Sequence, residues 1–358
     1  MRGGEKVLEQ FCLLFPEADI FTLVSRPGHV GQTIGRHRIL NSPLQKIGGA
    51  RRYKSLLPLF PAAVRRLRIK NGVSFLLSSD ASVIKGLTYP PDVPHVCYCH
   101  SPPRYLWDLQ ETYARQAGGL NAFGRAVFRA VTPYVRRFDA EGARRVTHFI
   151  ANSEFVRARI QKIYGREAEV IHPPVDVDAF DATRGGDDFY LLVSELTPYK
   201  RADLAVDAFN ELGLKLIIIG DGSEAARLRA RAKPNIEFLG RAPFAVLRDK
   251  MERCRAFIHP QIEDFGITAV EAQAAGRPVI AYRAGGALES IVENKTGLFF
   301  DEQTSGALCQ AIRRFENSSS FESSVCRENA NRFGTEIFRA KISRFLAANG
   351  LPAGKNGA

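Results

Sequence analysis

Two glutamates, Glu263 and Glu271, stand eight positions apart in the stretch "IEDFGITAVE", on either side of a Phe-Gly break. If the chain passes from loop to helix at Gly266, the backbone N–H groups at the helix start favour an anion such as phosphate. A carboxylate is repelled by phosphate, so the two glutamates should contact neutral hydroxyl groups through charge-assisted hydrogen bonds. The pattern therefore predicts a ligand in which a diphosphate lies between two hydroxyl-rich groups, a sugar and a ribose.

A second segment supplies the positive charge that such a ligand needs. The stretch "ELTPYKRAD" places Lys200 and Arg201 just after a predicted strand. Ligands of parallel α/β sheets bind where strands end and helices begin. We therefore expect both side chains to contact the diphosphate.

The elements that must position these residues are clearest from Phe189 onward, where short apolar runs alternate with helical patterns. Runs of Val, Ile, Leu and Phe bounded by Gly or Pro are typical of buried strands. The predicted strands are "FYLLVS", "LKLIIIG", "NIEFLG", "CRAFIHP", "PVIAY" and "TGLFF". Strict alternation of strand and helix predicts an α/β fold with a parallel sheet between two layers of helices.

The first half of the chain has a similar but looser pattern. Strands are predicted at "DIFTLV", "VSFLLSS", "HVCYCH", "THFIANS" and "AEVIHPP", with a long helix near residues 120–146. Pro, Gly and Asp replace the apolar rhythm at residues 172–188, which marks a boundary. We predict two Rossmann-like domains, residues 1–172 and 173–334, whose parallel sheets face an inter-domain cleft. A helix at about residues 335–350, with apolar positions at Ile337, Phe338, Ile342, Phe345 and Leu346, should pack back on the first domain.

The beginning of the chain departs from this pattern. The stretch "RGGEKVLEQFCLLF" predicts a glycine turn that opens a helix, and no strand precedes it. A sheet of this type normally has its first strand near the centre. We therefore expect that the first N-terminal strand is missing from this polypeptide.

The net charge of +12 is confined to the first half. Residues 1–175 contain 26 Lys and Arg against 13 Asp and Glu, whereas the remainder contains 24 against 25. Seven basic residues and no acidic ones lie in "RRYKSLLPLFPAAVRRLRIK", residues 51–70, between Leu56, Leu57, Leu59 and Phe60. This mixture favours either contact with an anionic membrane surface or a solvated face. Nucleic-acid binding is disfavoured, because no nucleic-acid motif accompanies the charge.

The remaining composition indicates a cytoplasmic protein. No run of about 18 apolar residues is present, and the first residues lack the apolar core of a secretory signal. Six dispersed cysteines fit reduced, buried thiols better than a disulfide framework. Cys97, Cys99 and His100 resemble metal ligands, but no second ligand pair follows, so we favour a buried strand end and expect no metal.

Several motifs together resemble a known family. The pair Glu263 and Glu271, with "PYKRADLAVDAF", "GDGSE", "FLGR" and "AGGALESIVENKTGLFF", looks like the donor domain of retaining family 4 (group 1) glycosyltransferases of the GT-B fold. The stretches "YCHSPPRYLWD", "IANSEFVRARIQKIYG" and "VIHPPVDVDAF" resemble the lipopolysaccharide O-chain mannosyltransferases. The resemblance covers about residues 1–345.

The resemblance implies a role for each matching residue. Glu263 would contact sugar hydroxyls and Glu271 the ribose, while Phe265, Gly266, Ile267 and Thr268 contact sugar and phosphate through their backbone. Lys200 would hold the diphosphate. The family arginine five positions earlier is Glu195 here, so we expect Arg201 to replace it. The family's glycine loop matches Gly3 and Gly4, and a histidine near the donor sugar matches His100. The catalytic candidates are therefore His100, Lys200 and Glu263, with no metal.

The implied reaction is transfer of mannose from GDP-mannose to a lipid-linked saccharide, with retention of configuration, at the inner face of the cytoplasmic membrane. A UDP-sugar donor, or a truncated and inactive membrane-associated homologue, is the alternative. A dinucleotide-dependent oxidoreductase is a weaker rival, because "IIIGDGSEA" contains only part of the Gly-x-Gly-x-x-Gly motif.

Overall fold

The fold is described from a computed structural model of the chain. The described residues are 3–26, 28–48, 53–111, 122–318 and 321–354. The contacts divide the chain into two compact units. The first unit comprises Met1–Pro174 and Glu336–Ala358, and the second comprises Val175–Thr335.

The first unit contains a four-stranded parallel sheet and a separate parallel pair of short strands. The pair is β1 (Ile20–Thr22) and β2 (Ile39–Asn41), and the sheet has the order β3 (Leu76–Asp80), β4 (His95–Cys99), β5 (His148–Ala151), β6 (Ala168–Val170). The helices are α1 (Gly3–Leu14), α2 (Gln32–Gly35), α3 (Phe60–Arg65), α4 (Ala122–Arg145) and α5 (Glu154–Tyr164). All five strands predicted here therefore form.

The placement of the "DIFTLV" strand differs from the expectation. Its residues form β1, but β1 pairs with β2 and not with the larger sheet. The sequence did not predict β2, because three residues are too few to display the alternating pattern of a strand.

The second unit contains a six-stranded parallel sheet. Its strands are β7 (Tyr190–Val193), β8 (Leu216–Ile219), β9 (Ile236–Gly240), β10 (Phe257–His259), β11 (Val279–Tyr282) and β12 (Gly297–Phe300), in the order β12-β11-β10-β7-β8-β9. Its helices are α6 (Ala202–Leu212), α7 (Ala225–Arg231), α8 (Phe244–Arg253), α9 (Ile267–Ala274), α10 (Ala287–Ser290), α11 (Ser305–Glu316) and α12 (Ser323–Asn331). All six predicted strands form, and apolar clusters fill both faces of the sheet.

The last helix, α13 (Thr335–Ala348), packs in the first unit. Phe338 and Ile342 are buried in one cluster with Phe11 and Tyr98. Arg339 Nη1 also donates to Gln10 Oε1 at 2.8 Å. Of the five apolar positions predicted to be buried, Ile337 is instead exposed.

The basic segment at residues 51–70 is only partly a surface feature. Leu57 and Phe60 are buried in the core of the first unit, whereas Leu59 is exposed. The expectation that the segment's large apolar side chains are available to insert into a membrane is therefore wrong for Leu57 and Phe60. Arg51 and Arg52 lie outside the described residues.

The basic residues that follow are nevertheless on the surface. Arg66, Arg68 and Lys70 are exposed and alternate with the buried Leu67 and Ile69. Because side chains of extended chain alternate between its two sides, Arg68 and Lys70 share one side, and Arg66 ends the helix just before them. No helix within the described ranges is both long enough and apolar enough to cross a bilayer.

A buried ion cluster holds the loops that follow β3. Lys85 Nζ donates to Asp80 Oδ2 at 3.0 Å and to the Ser82 carbonyl at 3.0 Å, and it lies 2.5 Å from Asp139 Oδ1. Trp107 donates to the other Asp139 oxygen at 2.9 Å. Burial alone would disfavour the ammonium, but the carboxylates of Asp139 and Asp80 raise the pKa of Lys85 well above its ordinary value. The cluster therefore ties α4 to the end of β3.

We expect Lys85→Met to destabilise the chain by about 3–5 kcal/mol, because the substitution leaves two carboxylates buried without their cation. Urea denaturation measures the loss. Lys70→Met, which removes an exposed lysine, serves as the matched control and should change stability by less than about 0.5 kcal/mol. A similar small change in Lys85→Met would contradict the role of the cluster.

Candidate active site

The "EDFG" stretch forms a loop between β10 and α9 in the second unit. Gly266 is the N-cap of α9, and its φ of 89° is a left-handed conformation that favours glycine. Gly266, at the N-cap position, has no side chain with which to cap this helix. The first intrahelical bond at this end runs from the Ala269 N–H to the Gly266 carbonyl at 3.0 Å. The N–H groups of Ile267 and Thr268 precede it, at the helix start that the sequence predicts to bind an anion.

Lys200 and Glu263 meet beside this loop. Lys200 ends the short 3-10 turn Pro198–Lys200, and its Nζ donates to Glu263 Oε1. The two side chains are 16% and 22% exposed, so the pair is accessible yet partly desolvated. The sequence predicted a diphosphate contact for one residue and a sugar contact for the other, but it did not predict that they pair.

Arg201 makes hydrogen bonds within the second unit. It has a φ of 53°, and its guanidinium donates to Asp203 Oδ1 at 3.2 Å and to Gln303 Oε1 at 3.1 Å. Gln303 in turn donates to the Pro260 carbonyl at 2.9 Å. Arg201 therefore supports the main chain of the loop through Gln303.

Two glycines after β11 allow a second segment to approach the loop closely. The Gly286 N–H donates to the Glu263 carbonyl at 3.0 Å. A Cβ at Gly285 would lie 2.4 Å from that carbonyl oxygen, and a Cβ at Gly286 would lie 2.3 Å from the Phe265 Cα. The turn at these two glycines therefore fixes the backbone of the loop that carries Glu263.

A similar contact holds the segment that leads to Lys200. A Cβ at Gly220 would lie 1.8 Å from the Ser194 carbonyl oxygen, and one at Gly222 would lie 2.3 Å from that of Leu196. The "GDG" motif therefore serves as a backbone contact for this segment. Glu195, which stands where the family has arginine, is exposed.

Glu271 lies one turn inside α9 and is buried, with 7% of the residue exposed. Phe265 is also buried and packs edge-on against Phe333, with 5.3 Å between ring centroids. The predicted donor residues of the second unit thus lie on the loop, on α9 and on the turn before α6. Sequence reasoning missed two buried polar residues, His259 at the end of β10 and Gln261 in the loop that follows, because "HPQ" resembles an ordinary strand end.

The remaining predicted site residues lie together in the first unit. Gly3 and Gly4 open α1, and a Cβ at Gly4 would lie 3.5 Å from His100 Nε2. That nitrogen lies 2.7 Å from the Ser79 hydroxyl oxygen. Burial lowers the pKa of His100 to about 4, so the ring is neutral at pH 7.

The Cys97 and Cys99 side chains are buried in β4, and burial raises the pKa of the Cys97 thiol to about 12. Within the part of the chain that the structure describes, no three His, Cys, Asp or Glu side chains are grouped so that they could hold a metal ion.

Comparisons with known proteins first define the class. A solved lipopolysaccharide outer core galactosyltransferase superposes with a TM-score of 0.66 over 98% of this chain and 96% of its own, at 15% identity. Two units built on parallel sheets, each with flanking helices, place the chain in the GT-B class.

Family models then match the sequence. The model described as "Glycosyltransferase Family 4" matches residues 1–179, and the model "Glycosyl transferases group 1" matches residues 178–333. The chain therefore belongs to glycosyltransferase family 4.

Two curated relatives are mannosyltransferases by name. A GDP-mannose-dependent alpha-(1-6)-phosphatidylinositol monomannoside mannosyltransferase of Mycobacterium tuberculosis is 30% identical over 45% of this chain and 50% of its own length. The O-antigen chain mannosyltransferase C of Escherichia coli is 29% identical over 47% of this chain and 45% of its own. The chain thus spans about half the length of the curated relatives that it matches.

We expect Gly286→Ala to lower the stability of the second unit by about 1–3 kcal/mol, because the new methyl group would overlap the main chain at Phe265. Thermal unfolding measures this loss, and faster amide hydrogen exchange at residues 263–266 would locate it. Gly306→Ala is the matched control, since no heavy atom lies within 4 Å of the added Cβ. Equal stability of the two variants would refute the backbone contact.

Proposed function

We propose that this protein transfers a hexose, most specifically mannose from GDP-mannose, to a lipid-linked saccharide of a cell-surface polysaccharide, with retention of configuration. The observation that carries the proposal is the Lys200–Glu263 pair beside the start of α9. Mannosyltransferases among the curated relatives support the choice of sugar and donor.

The arrangement suits a nucleotide sugar because one set of groups would contact its phosphates and another set its hydroxyl groups. The N–H groups of Ile267 and Thr268 would donate hydrogen bonds to a phosphate. Lys200 adds a positive charge next to them. Glu263 supplies carboxylate oxygens for sugar hydroxyls, and Glu271, one turn further on, does so for the ribose.

Charge on the leaving nucleoside diphosphate would be stabilised by Lys200 and the helix start, as preorganised donors stabilise developing charge elsewhere. Arg201 supports the main chain of the Glu263 loop through Gln303. We also propose that its guanidinium contacts the diphosphate directly. The acceptor hydroxyl would attack from the face that the leaving phosphate occupies and pass its proton to that phosphate. Neutral His100, beside Gly4, would hydrogen-bond the donor sugar. No metal is required by this scheme.

The acceptor side is proposed to work at an anionic membrane surface. Arg66, Arg68 and Lys70 are all exposed within one short stretch of the first unit. Each basic residue near such a surface contributes about 1 kcal/mol. The contact would therefore be chiefly electrostatic, with Leu59 as the exposed apolar side chain nearby.

A panel of GDP- and UDP-sugars tests the proposed reaction. We expect hydrolysis or transfer with GDP-mannose, undiminished by EDTA, and an α-anomeric product that retains the donor configuration by NMR. Turnover of a UDP-sugar alone would replace the proposed donor. Absence of turnover with every donor and with a lipid-linked acceptor would favour the inactive homologue.

Within the same assay, Lys200→Ala and Glu271→Ala should each lower kcat/KM by on the order of 10²–10³, because each removes a charged contact to the donor. Lys215→Ala, which removes an exposed lysine of the second unit, is the matched control and should retain wild-type kcat/KM. Normal activity of either site variant would reject the site.

We expect the triple variant Arg66→Ser, Arg68→Ser, Lys70→Ser to bind phosphatidylglycerol vesicles about 100-fold more weakly, since three contributions of about 1 kcal/mol are lost. Vesicle sedimentation at increasing salt measures the binding. A triple Ser variant at Lys215, Lys233 and Lys295 removes the same charge from the second unit and should bind normally. Leu59→Ser tests whether an apolar side chain inserts into the membrane. Unchanged binding of the variant at Arg66, Arg68 and Lys70 would refute the proposed membrane surface.

A further inference from the structure

Two buried polar side chains behind the Glu263 loop have no part in the function proposed so far. His259 ends β10 and has no exposed surface, and Gln261 is 2% exposed. Neither carries a formal charge that the donor would need. Their hydrogen bonds nevertheless connect them to Glu263.

The Gln261 amide connects the histidine to the glutamate. Its Nε2 lies 3.3 Å from His259 Nδ1 and 3.4 Å from Glu263 Oε1. An amide nitrogen can only donate, so His259 Nδ1 accepts and the ring proton is on Nε2. The same Glu263 oxygen accepts from Lys200. Glu263 Oε1 is therefore held from two directions.

This arrangement requires a neutral imidazole. Burial lowers the pKa of His259 to about 4, with the Lys200 charge acting in the same direction and Glu263 opposing it. A protonated ring would place an N–H at Nδ1 against the Gln261 NH₂ group and break the contact. At neutral pH the contact is maintained.

The other polar atoms of the two side chains face the loop without a partner among the described residues. His259 Nε2 and Gln261 Oε1 are both buried and lack a hydrogen bond there. A Cβ at Gly266 would lie 3.3 Å from His259 Nε2 and 3.7 Å from the Glu263 Cβ. The ring edge therefore lies directly behind the helix start.

An unsatisfied buried polar atom costs about 1–3 kcal/mol, so this pair does not add to stability as two apolar residues would. Buried polar groups that weaken the fold in this way tend to lie at functional sites. Their effect here falls on the orientation of the Glu263 carboxylate.

We propose that His259 and Gln261 are positioning residues that hold the Glu263 carboxylate in the orientation that receives the hydroxyl groups of the donor sugar. The inference rests on the proposed function and deepens it. It makes sugar recognition depend on the hydrogen-bonded pair His259–Gln261 behind the loop, which we call the relay. It predicts that losing the relay weakens binding of the sugar moiety and leaves binding of the nucleoside diphosphate intact.

The test compares GDP with GDP-mannose by titration calorimetry on the full chain. Gln261→Leu keeps the side-chain volume and removes the amide, and we expect GDP-mannose affinity and kcat/KM to fall about 10-fold while GDP affinity stays within about twofold, which corresponds to one charge-assisted hydrogen bond. His259→Phe keeps a ring and removes the Nδ1 acceptor, so it should give the same split. If one variant does not fold, the other still tests the relay.

A double-substitution cycle separates positioning from a purely structural role. In a Glu263→Gln background, Gln261→Leu should cause little further loss, because the relay acts only through that carboxylate. Gln273→Leu is the matched control: Gln273 is a buried glutamine of α9 that donates to the Ser290 carbonyl at 2.9 Å. It should lower the melting temperature without changing the ratio of GDP-mannose to GDP affinity.

The outcomes distinguish this inference from the proposed function. Suppose that the wild type binds and turns over GDP-mannose. If Gln261→Leu then lowers the affinities for GDP and GDP-mannose equally, or changes neither affinity, the relay is refuted and the proposed function stands. Additive losses in the double variant would also refute the relay. If the wild type binds neither GDP-mannose nor UDP-glucose, the proposed function fails and the relay fails with it.

Discussion

The contact between Lys200 and Glu263 is the constraint on which much of the second unit depends. Two opposite charges that are partly removed from water need close mutual placement, since desolvation costs free energy that only a well-formed pair offsets. The residues are 63 positions apart, so two separate loops must be held in register. Backbone contacts supply this: Gly286 holds the Glu263 carbonyl, and the Gly220–Gly222 turn supports the segment before Lys200.

Lys85, in the first unit, also pairs with carboxylates away from water, but its role is structural. Lys85 is fully buried, and its ammonium is surrounded by Asp80, Asp139 and the Ser82 carbonyl. That cluster is closed to water, so it serves structure. The Lys200–Glu263 pair keeps part of its surface in solvent, and a polar ligand can reach it. Degree of exposure, more than residue type, separates the two roles.

Sequence reasoning reached the elements that have a clear period and the residues that belong to a motif. The six strands of the second unit were predictable because each is a short apolar run bounded by Gly or Pro. The three-residue β2 was not, because it is too short to display an alternating pattern. The bonds of the Arg201 guanidinium to Asp203 and Gln303 were not predicted, because they can be recognised only from the folded structure. For the same reason the sequence could not show that Leu57 and Phe60 are buried and not on the surface. His259 and Gln261 likewise appeared to belong to an ordinary strand end.

The close approach of Gly285 and Gly286 to the Glu263 loop has a consequence for how this site can diversify. Backbone atoms of residues 263–265 meet the glycine turn, so a side chain larger than hydrogen at Gly285 or Gly286 would displace the main chain of the loop that carries Glu263. Variation that keeps Glu263 in place is therefore closed to these two glycines.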